Sequence, residues 1–519
     1  MVDDRLFLGI DVGSYESKGV ITDVNGKVLA YESIPHVINF PHPGWAEQDA
    51  DKVWWYDFIT LSRRLIQKSG IEAKRIKAVG CSGTAQCVLP IDREGRPLMP
   101  AILYGIDTRA EKEVTEVEAL FGREKILKHC RHRLIAQDLG PRLLWIKKNR
   151  PEVYEKMESV LTSTSYLVYR LTGSQVIDIF TAYDSAPMFD VQQYRYLPEM
   201  TGDLICLHKL PDPVWSTEIV GTVTAQAANE IGLAEGTPVI AGTSDAGAEA
   251  LSAGLAEVGD LMIMYGSSTY FILKTDRLLF SQTLWGDSFL EPDTFSVAAG
   301  MAVGGSLTRW YRDNFGNEEL AREKLTGQNA YAALADLAKL SPPGANGLVM
   351  LPYFSGERTP FYDPSARGML FGLALTHSKA DIYRAILESI AYGIRHNVEA
   401  MHDAGLNIHR YLAVGGGIRN RLWLQIVSDV MGQEQLVPNQ VHGACYGDAF
   451  MAAVGIGVFD SVNEISRWVK CDDRIIPNPN NTGIYNSLYP IYRNLYDRTA
   501  DLMHEIAEIQ KKTAASKDG

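Results

Sequence analysis

Two short stretches of this chain share one grammar, and that grammar limits the possible folds more than any other feature. In LGIDVGSYESKGVI an apolar run, Leu6–Asp11, breaks at Gly13-Ser14 and returns as the alternating run Ser17–Asp23. In MIMYGSSTYFILKT the run Asp260–Tyr265 breaks at Gly266-Ser267-Ser268 and returns as Thr269–Thr275. Each copy reads as a strand, a tight turn and an antiparallel return. Two copies of one small unit predict an α/β protein with two similar domains. Length agrees, because 519 residues exceed what a single core organises. The expected division is 1–254 and 255–519, the second part ending in a helical tail that frays from Lys511.

Charge and composition exclude several classes of partner. The formal net charge of −13 disfavours nucleic acid and anionic membrane, which select basic surfaces. It leaves phosphate ligands open, since backbone N–H groups and a metal ion hold these locally. The opening MVDDRLFLGI carries two acids where a secretory leader needs a basic region, and no run reaches transmembrane length. The 6 cysteines form no CxxC pair and read as reduced and mostly buried, which points to the cytoplasm. No apolar stripe identifies an interface, so a homodimer is possible but not specified.

Three strand-end turns carry the candidate chemistry. In Asp11-Val12-Gly13-Ser14 the acid can hold a hydrated Mg2+, and glycine lets backbone approach a phosphate. Ser14, Ser17 and Lys18 can then donate to that phosphate. The same triplet also serves as an ordinary turn. In AGTSDAGAEALSAG, Asp245 falls between an apolar strand, Thr237–Ala241, and a run of small residues that starts a helix. It is either a functional carboxylate at a strand end or a helix N-cap. Gly415-Gly416-Gly417-Ile418-Arg419-Asn420 again links a strand to a helix, Leu422–Met431. With Gly266-Ser267 and Gly304-Gly305 it suggests a nucleotide gripped by loops from both domains. None of these is a GxGxxG fingerprint, which disfavours a nicotinamide-dependent oxidoreductase.

Taken in order, these residues resemble the FGGY carbohydrate kinase family from about Leu6 to Phe459. The similarity extends to GWAEQD (Gly44–Asp49), AILYGIDTRA (Ala101–Ala110), the run beginning at Gly415, and LPYFSGERTPFYDPSARGMLFGL (Leu351–Leu373), whose SGERTP is closest to xylulokinase-type members. The resemblance implies two actin-like (ribonuclease H-like) domains flanking an ATP and sugar cleft, with sugar and phosphates on the N-terminal side and nucleotide on the C-terminal side. It implies phosphoryl transfer from ATP to a hydroxyl of a small sugar or polyol, with a ketopentose as the best class. Asp245 would be the general base, and Asp11 with Asp245 would serve the Mg2+. Gly13, Ser14, Ser17 and Lys18 would line the phosphates, with Gly266 and Ser267 opposite. Gly304, Gly305, Gly416, Gly417 and Asn420 would contact the nucleoside.

Thr84, Ala85, Gln86, Tyr104 and Asp107 would face the acceptor. There the chain departs from relatives: xylulokinases carry Met-His, and glycerol kinases Arg-Glu, where this sequence has Ala85-Gln86. Tyr104 replaces a common Trp, Arg142 a common Lys, and YGDAF stands at Tyr446–Phe450 in place of a Glu-containing pattern. Two other readings remain at this level: a different actin-like ATPase, and a catalytically silent sugar sensor. SGERTP and GWAEQD argue against the first, and retention of both Asp11 and Asp245 argues against the second.

Overall fold

The computed structural model describes residues 4–439 and 442–515. The chain forms two compact units. The first comprises Met1–Glu257 together with Lys274–Ser296 and Gln440–Lys470; the second comprises Val258–Leu273, Val297–Asn439 and Cys471–Gly519. Two segments from the second half of the sequence therefore group with the first unit.

The first unit is built on one mixed sheet. Leu6–Val12, wholly buried, pairs antiparallel with Glu16–Asp23, which pairs antiparallel with Val28–Pro35. On its other side Leu6–Val12 runs parallel to Ile76–Gly83, which runs parallel to Pro238–Ile240. A strand covered on both faces needs continuous apolar sequence, and Leu6, Leu8, Ile10 and Val12 meet Val79 and Cys81 in the core. Against this sheet packs the helix Tyr56–Ser69, with Phe58, Leu61 and Leu65 on its buried side and Gly70 ending it at φ 66°. The apolar periodicity predicts this helix from Val53. Its first turns, Ala50–Trp55, are instead wound wider, and Asp49 accepts from the N–H groups of Asp51 and Lys52.

The helix Ala444–Gly455 belongs to the first unit, packing on Leu6–Val12, Ile76–Gly83 and the helix Asp245–Ser252. It lies so close that a side chain on Gly9 would strike the Cys445 carbonyl, and one on Gly80 the Asp448 carbonyl. Glycine at both strand centres is what brings backbone against backbone here.

The second unit repeats the arrangement. Asp260–Tyr265 pairs antiparallel with Thr269–Thr275 and parallel with Arg410–Val414, which pairs parallel with Gln435–Val437. Both predicted strands of this hairpin have the predicted bounds. The helix Lys379–Asp403 packs against the helix Arg421–Met431. A final helix, Pro479–Ala515, continues through Lys511, where the sequence reads as frayed; the last four residues lie outside the described residues. All six cysteines are free; four are buried, Cys206 is exposed and Cys471 is intermediate. Among the described residues no helix is long and apolar enough to cross a membrane.

Candidate functional site

The parallel register of the first sheet gathers polar residues at its carboxyl edge. Asp11 lies opposite Ser82, and Ser82 opposite Thr243. Asp245 opens the helix Asp245–Ser252 immediately after, and Glu249 follows one turn later on the same face. Asp448 joins from the helix Ala444–Gly455. Ser82 Oγ lies 2.7 Å from Asp448 Oδ2 and 3.2 Å from Asp11 Oδ1. A hydroxyl has one hydrogen, so one of these carboxyls must bring its own. Asp448 is the fully buried one, and its Oδ1 has no partner. Burial, then Asp11 and Asp245, push its pKa well above the carboxylate range.

The other acids feel the same crowding. Burial raises Asp11 to about 6 despite the pull of Lys18, and raises Asp245 to about 7 with help from Asp11. Backbone N–H groups of Ala246, 2.8 Å away, and Ala85 act the other way on Asp245. Glu249 rises to about 7 through burial, opposed by Lys18. Burial disfavours charge on Lys18, yet Asp11, Glu249 and Glu16 raise its pKa. Carboxylates outnumber cations here, so an added cation would relieve the site. Among the described residues no three His, Cys, Asp or Glu side chains form a ready metal cage. Mg2+ does not need one, since it keeps several waters and takes one or two carboxylates beside substrate phosphates. The oxygen donors of Asp11 and Asp245 fit that pattern.

The turn after Asp11 is held from below. Gly13 admits no side chain, because a Cβ would lie 2.9 Å from the Glu16 carbonyl oxygen. Ser14 Oγ lies 3.1 Å from Thr84 Oγ1. Ser17 is buried and donates its hydroxyl hydrogen to Asp57 Oδ2 at 2.8 Å, so it braces the strand and does not line a ligand site. Lys18 retains an ion pair with Glu16 at 3.6 Å.

The predicted acceptor residues separate into two groups. Gln86 is buried, its Nε2 donates to Ser185 Oγ at 3.3 Å, and its Oε1 is unpartnered. Arg142 Nη1 donates to the Gln86 carbonyl at 2.7 Å, and Tyr104 Oη donates to Asp184 Oδ1 at 3.4 Å. Burial, with Asp138 nearby, lifts Asp184 to about 7. Thr84, Ala85, Gln86, Tyr104 and Asp184 thus belong to one polar region. Asp107 does not present itself to a ligand. It accepts from the Ala46 N–H at 2.7 Å and from Arg109 Nη2 at 2.7 Å, and Arg109 also reaches Glu47 at 2.9 Å while lying over the Trp45 ring. Its two oxygens are consumed by this buried ion pair, which makes it a structural residue.

In the second unit three turns converge at the ends of Asp260–Tyr265 and Arg410–Val414. The Gly305 N–H donates to the Gly266 carbonyl at 2.8 Å, and the Ser306 N–H to the Ser267 carbonyl at 2.9 Å. Arg309 Nη2 donates to Ser267 Oγ at 3.1 Å. Gly304 precedes the helix Gly305–Phe315, whose N-terminus is a general anion-binding feature. Gly416 and Gly417 start a short 3-10 turn, and Asn420 Oδ1 caps the next helix by accepting from the Trp423 N–H at 3.1 Å.

Sequence reasoning does not single out Glu249, Asp448, Asp184 or His36. The four-residue spacing from Asp245 was the available signal for Glu249. Asp448 carried none beyond its departure from the family pattern, because its partner Ser82 is 366 residues away.

Comparison with known proteins identifies the family. The family model described as "FGGY family of carbohydrate kinases, N-terminal domain" matches residues 6–252, and its C-terminal counterpart matches residues 261–456. The chain is 28% identical to a xylulose kinase of Bacillus subtilis over 515 residues, covering 98% of this chain and 100% of that protein. A gluconokinase of the same organism is 27% identical over 512 residues, covering 97% and 98%. The crystal structure of xylulose kinase from Rhodospirillum rubrum superposes with a TM-score of 0.87 at 30% identity, over 96% of this chain and 100% of that one.

Proposed function

The chain belongs to the FGGY family of carbohydrate kinases, and from that premise we propose that it transfers the γ-phosphoryl group of ATP to a hydroxyl of a ketopentose or closely related polyol. The observation that carries the reading is the pair Asp11 and Asp245, brought to one sheet edge by strands separated by more than two hundred residues of sequence. Near-full-length similarity to proteins named xylulose kinase supports the acceptor class.

In this reading Asp245 accepts the proton of the attacking hydroxyl as the new bond to phosphorus forms. A carboxylate raised to about 7 is a competent base near neutral pH and a poor permanent ion. Asp11 would hold a hydrated Mg2+, which would supply positive charge to offset that of the phosphates. Gly13, Ser14 and Lys18 position those phosphates; Gly266, Ser267, Gly304, Gly305, Gly416 and Gly417 hold the nucleotide, while Asn420 keeps the last of these loops in shape. The first unit therefore takes the acceptor and the second takes the nucleoside. Gln86, Tyr104 and Asp184 select the acceptor through hydrogen bonds to its hydroxyls. Dependence on ATP and six free cysteines fit a cytoplasmic enzyme.

The test is coupled ADP release with ATP and Mg2+ across ketopentoses, hexuloses, polyols, glycerol and gluconate, for the wild type and Asp245→Asn. One acceptor should raise turnover far above the acceptor-free background, and the variant should lose that increment. Equal rates with and without every acceptor, unchanged by Asp245→Asn, would overturn the reading.

A further inference from the structure

We propose that His36 acts as a doubly protonated clamp beneath the Asp11–Ser14 turn, a positioning residue that fixes the Gly13 carbonyl so that the Ser14 N–H faces the phosphate donor. The inference rests on the reading that this turn receives the phosphates of ATP.

His36 Nε2 lies 2.8 Å from the Gly13 carbonyl oxygen, and Nδ1 lies 3.0 Å from Asp57 Oδ2. A carbonyl oxygen only accepts, so Nε2 carries hydrogen. Asp57 Oδ2 already accepts from Ser17 Oγ at 2.8 Å, as a carboxylate oxygen does. Opposite an ionised Asp57 both ring nitrogens carry hydrogen, and the ring is a cation paired with that carboxylate. The side chains of His36 and Asp57 are 9% and 5% exposed, so water screens the pair little. Asp57 holds His36 from the helix Tyr56–Ser69 and is itself held by Ser17 of the second strand, and Asp11 is the acid that feels the imidazole from the first strand.

A second tether acts on the next peptide. Gln48 Nε2 donates to the Ser14 carbonyl at 2.9 Å, and Gln48 Oε1 is itself held by Trp54 Nε1 at 2.8 Å. A trans peptide is planar, with its N–H directed opposite to its C=O. The only cis bonds among the described residues precede Pro187 and Pro360. Holding the Gly13 carbonyl therefore directs the Ser14 N–H away from His36, and holding the Ser14 carbonyl directs the Tyr15 N–H away from Gln48. Successive N–H groups directed one way form an anion-binding nest. The clamp orders this nest before any nucleotide arrives and touches no reacting atom itself.

The proposal predicts a separation that a packing role would not produce. His36→Phe should raise KM for ATP about tenfold, the scale of one hydrogen bond from a charged donor, with kcat and acceptor KM within about twofold. His36→Gln keeps one neutral donor and should fall between the two. Asp57 and the Gly13 carbonyl raise the pKa of His36 against the opposing effect of burial. In the wild type KM for ATP should accordingly rise as the pH passes upward through the His36 titration, and this rise should vanish in His36→Gln. The nearby carboxylates give the opposite trend, since they ionise as pH rises.

Lys18→Met serves as the control for the phosphate reading. If it raises KM for ATP while His36→Phe does not, the clamp falls and the phosphate site stands. If neither changes KM for ATP, the phosphate reading of the turn fails and takes the clamp with it. Should the variants not fold, [13Cε1]histidine NMR of the unaltered enzyme decides: an imidazolium signal for His36 at neutral pH is expected, and a neutral ring overturns the proposal.

Discussion

The two units begin with the same hairpin and the same parallel neighbour, yet their strand ends carry opposite kinds of polar group. In the first unit Leu6–Val12 delivers a buried carboxylate, Asp11, into a cluster with Asp245, Glu249 and Asp448. In the second unit Asp260–Tyr265 delivers Tyr265, whose hydroxyl is satisfied by Gln435 and whose ring meets the edge of Trp423 at 5.2 Å. The turns there are rich in glycine, with Gly266, Gly305, Gly416 and Gly417 at least partly exposed. One scaffold thus supports two strategies. Ionisable side chains, held short of full solvation, suit proton transfer and a cation; backbone N–H groups with satisfied side chains around them suit an anion that must be gripped without being altered.

The largest expected effect tests the first strategy. Asp245→Asn should lower acceptor-dependent kcat by about 10³-fold, within the range for removing a positioned base, while ADP affinity stays within about threefold. A loss of only a few-fold would move the chemistry away from this sheet edge. Next comes pH. Asp245 is raised to about 7 and Asp11 to about 6, and both are needed ionised. Activity should be present above pH 7 and fall as the pH is lowered, by about tenfold per unit for one group and more steeply below 6. A profile of kcat/KM that stays level from pH 8 to 5.5 would contradict this.

Gly305→Val addresses the second strategy. It should raise KM for ATP about tenfold by obstructing the turn at the helix N-terminus, with kcat at saturating ATP nearly unchanged. A matching fall in kcat would show that the second unit shares in the chemistry. The smallest effect belongs to Asn420→Ala, which removes the cap on the helix Arg421–Met431. Thermal or denaturant unfolding should register a loss of about 1 kcal/mol, with kcat intact.

Much of this was legible in the residues because the signals were local. Strand, Gly-Ser turn and returning strand depend on neighbours a few positions apart, and the predicted bounds of Asp260–Tyr265 and Thr269–Thr275 coincide with those observed. Asp11 and Asp245 were visible because each ends an apolar run. Asp107 came with the family resemblance, and its own residues carried no sign that Ala46 and Arg109 would occupy both of its oxygens. Ser17 and Asp57 meet across 40 residues, and Ser82 and Asp448 across 366, so no window of sequence joins them. The start of the first helix was misplaced because Asp49 caps a wider turn that apolar periodicity does not encode.

The helix Ala444–Gly455 has a consequence for how the protein is made. The first unit is started at Leu6, but the helix that rests on Gly9 and Gly80 is encoded only after most of the second unit. At about 5–20 residues per second, the ribosome needs roughly 10–40 s to travel from Glu257 to Gly455. Throughout that interval the sheet face that this helix covers lacks its native partner. The unit begun first is completed only after most of the second has been made, so its folding cannot finish independently of the polypeptide that follows it.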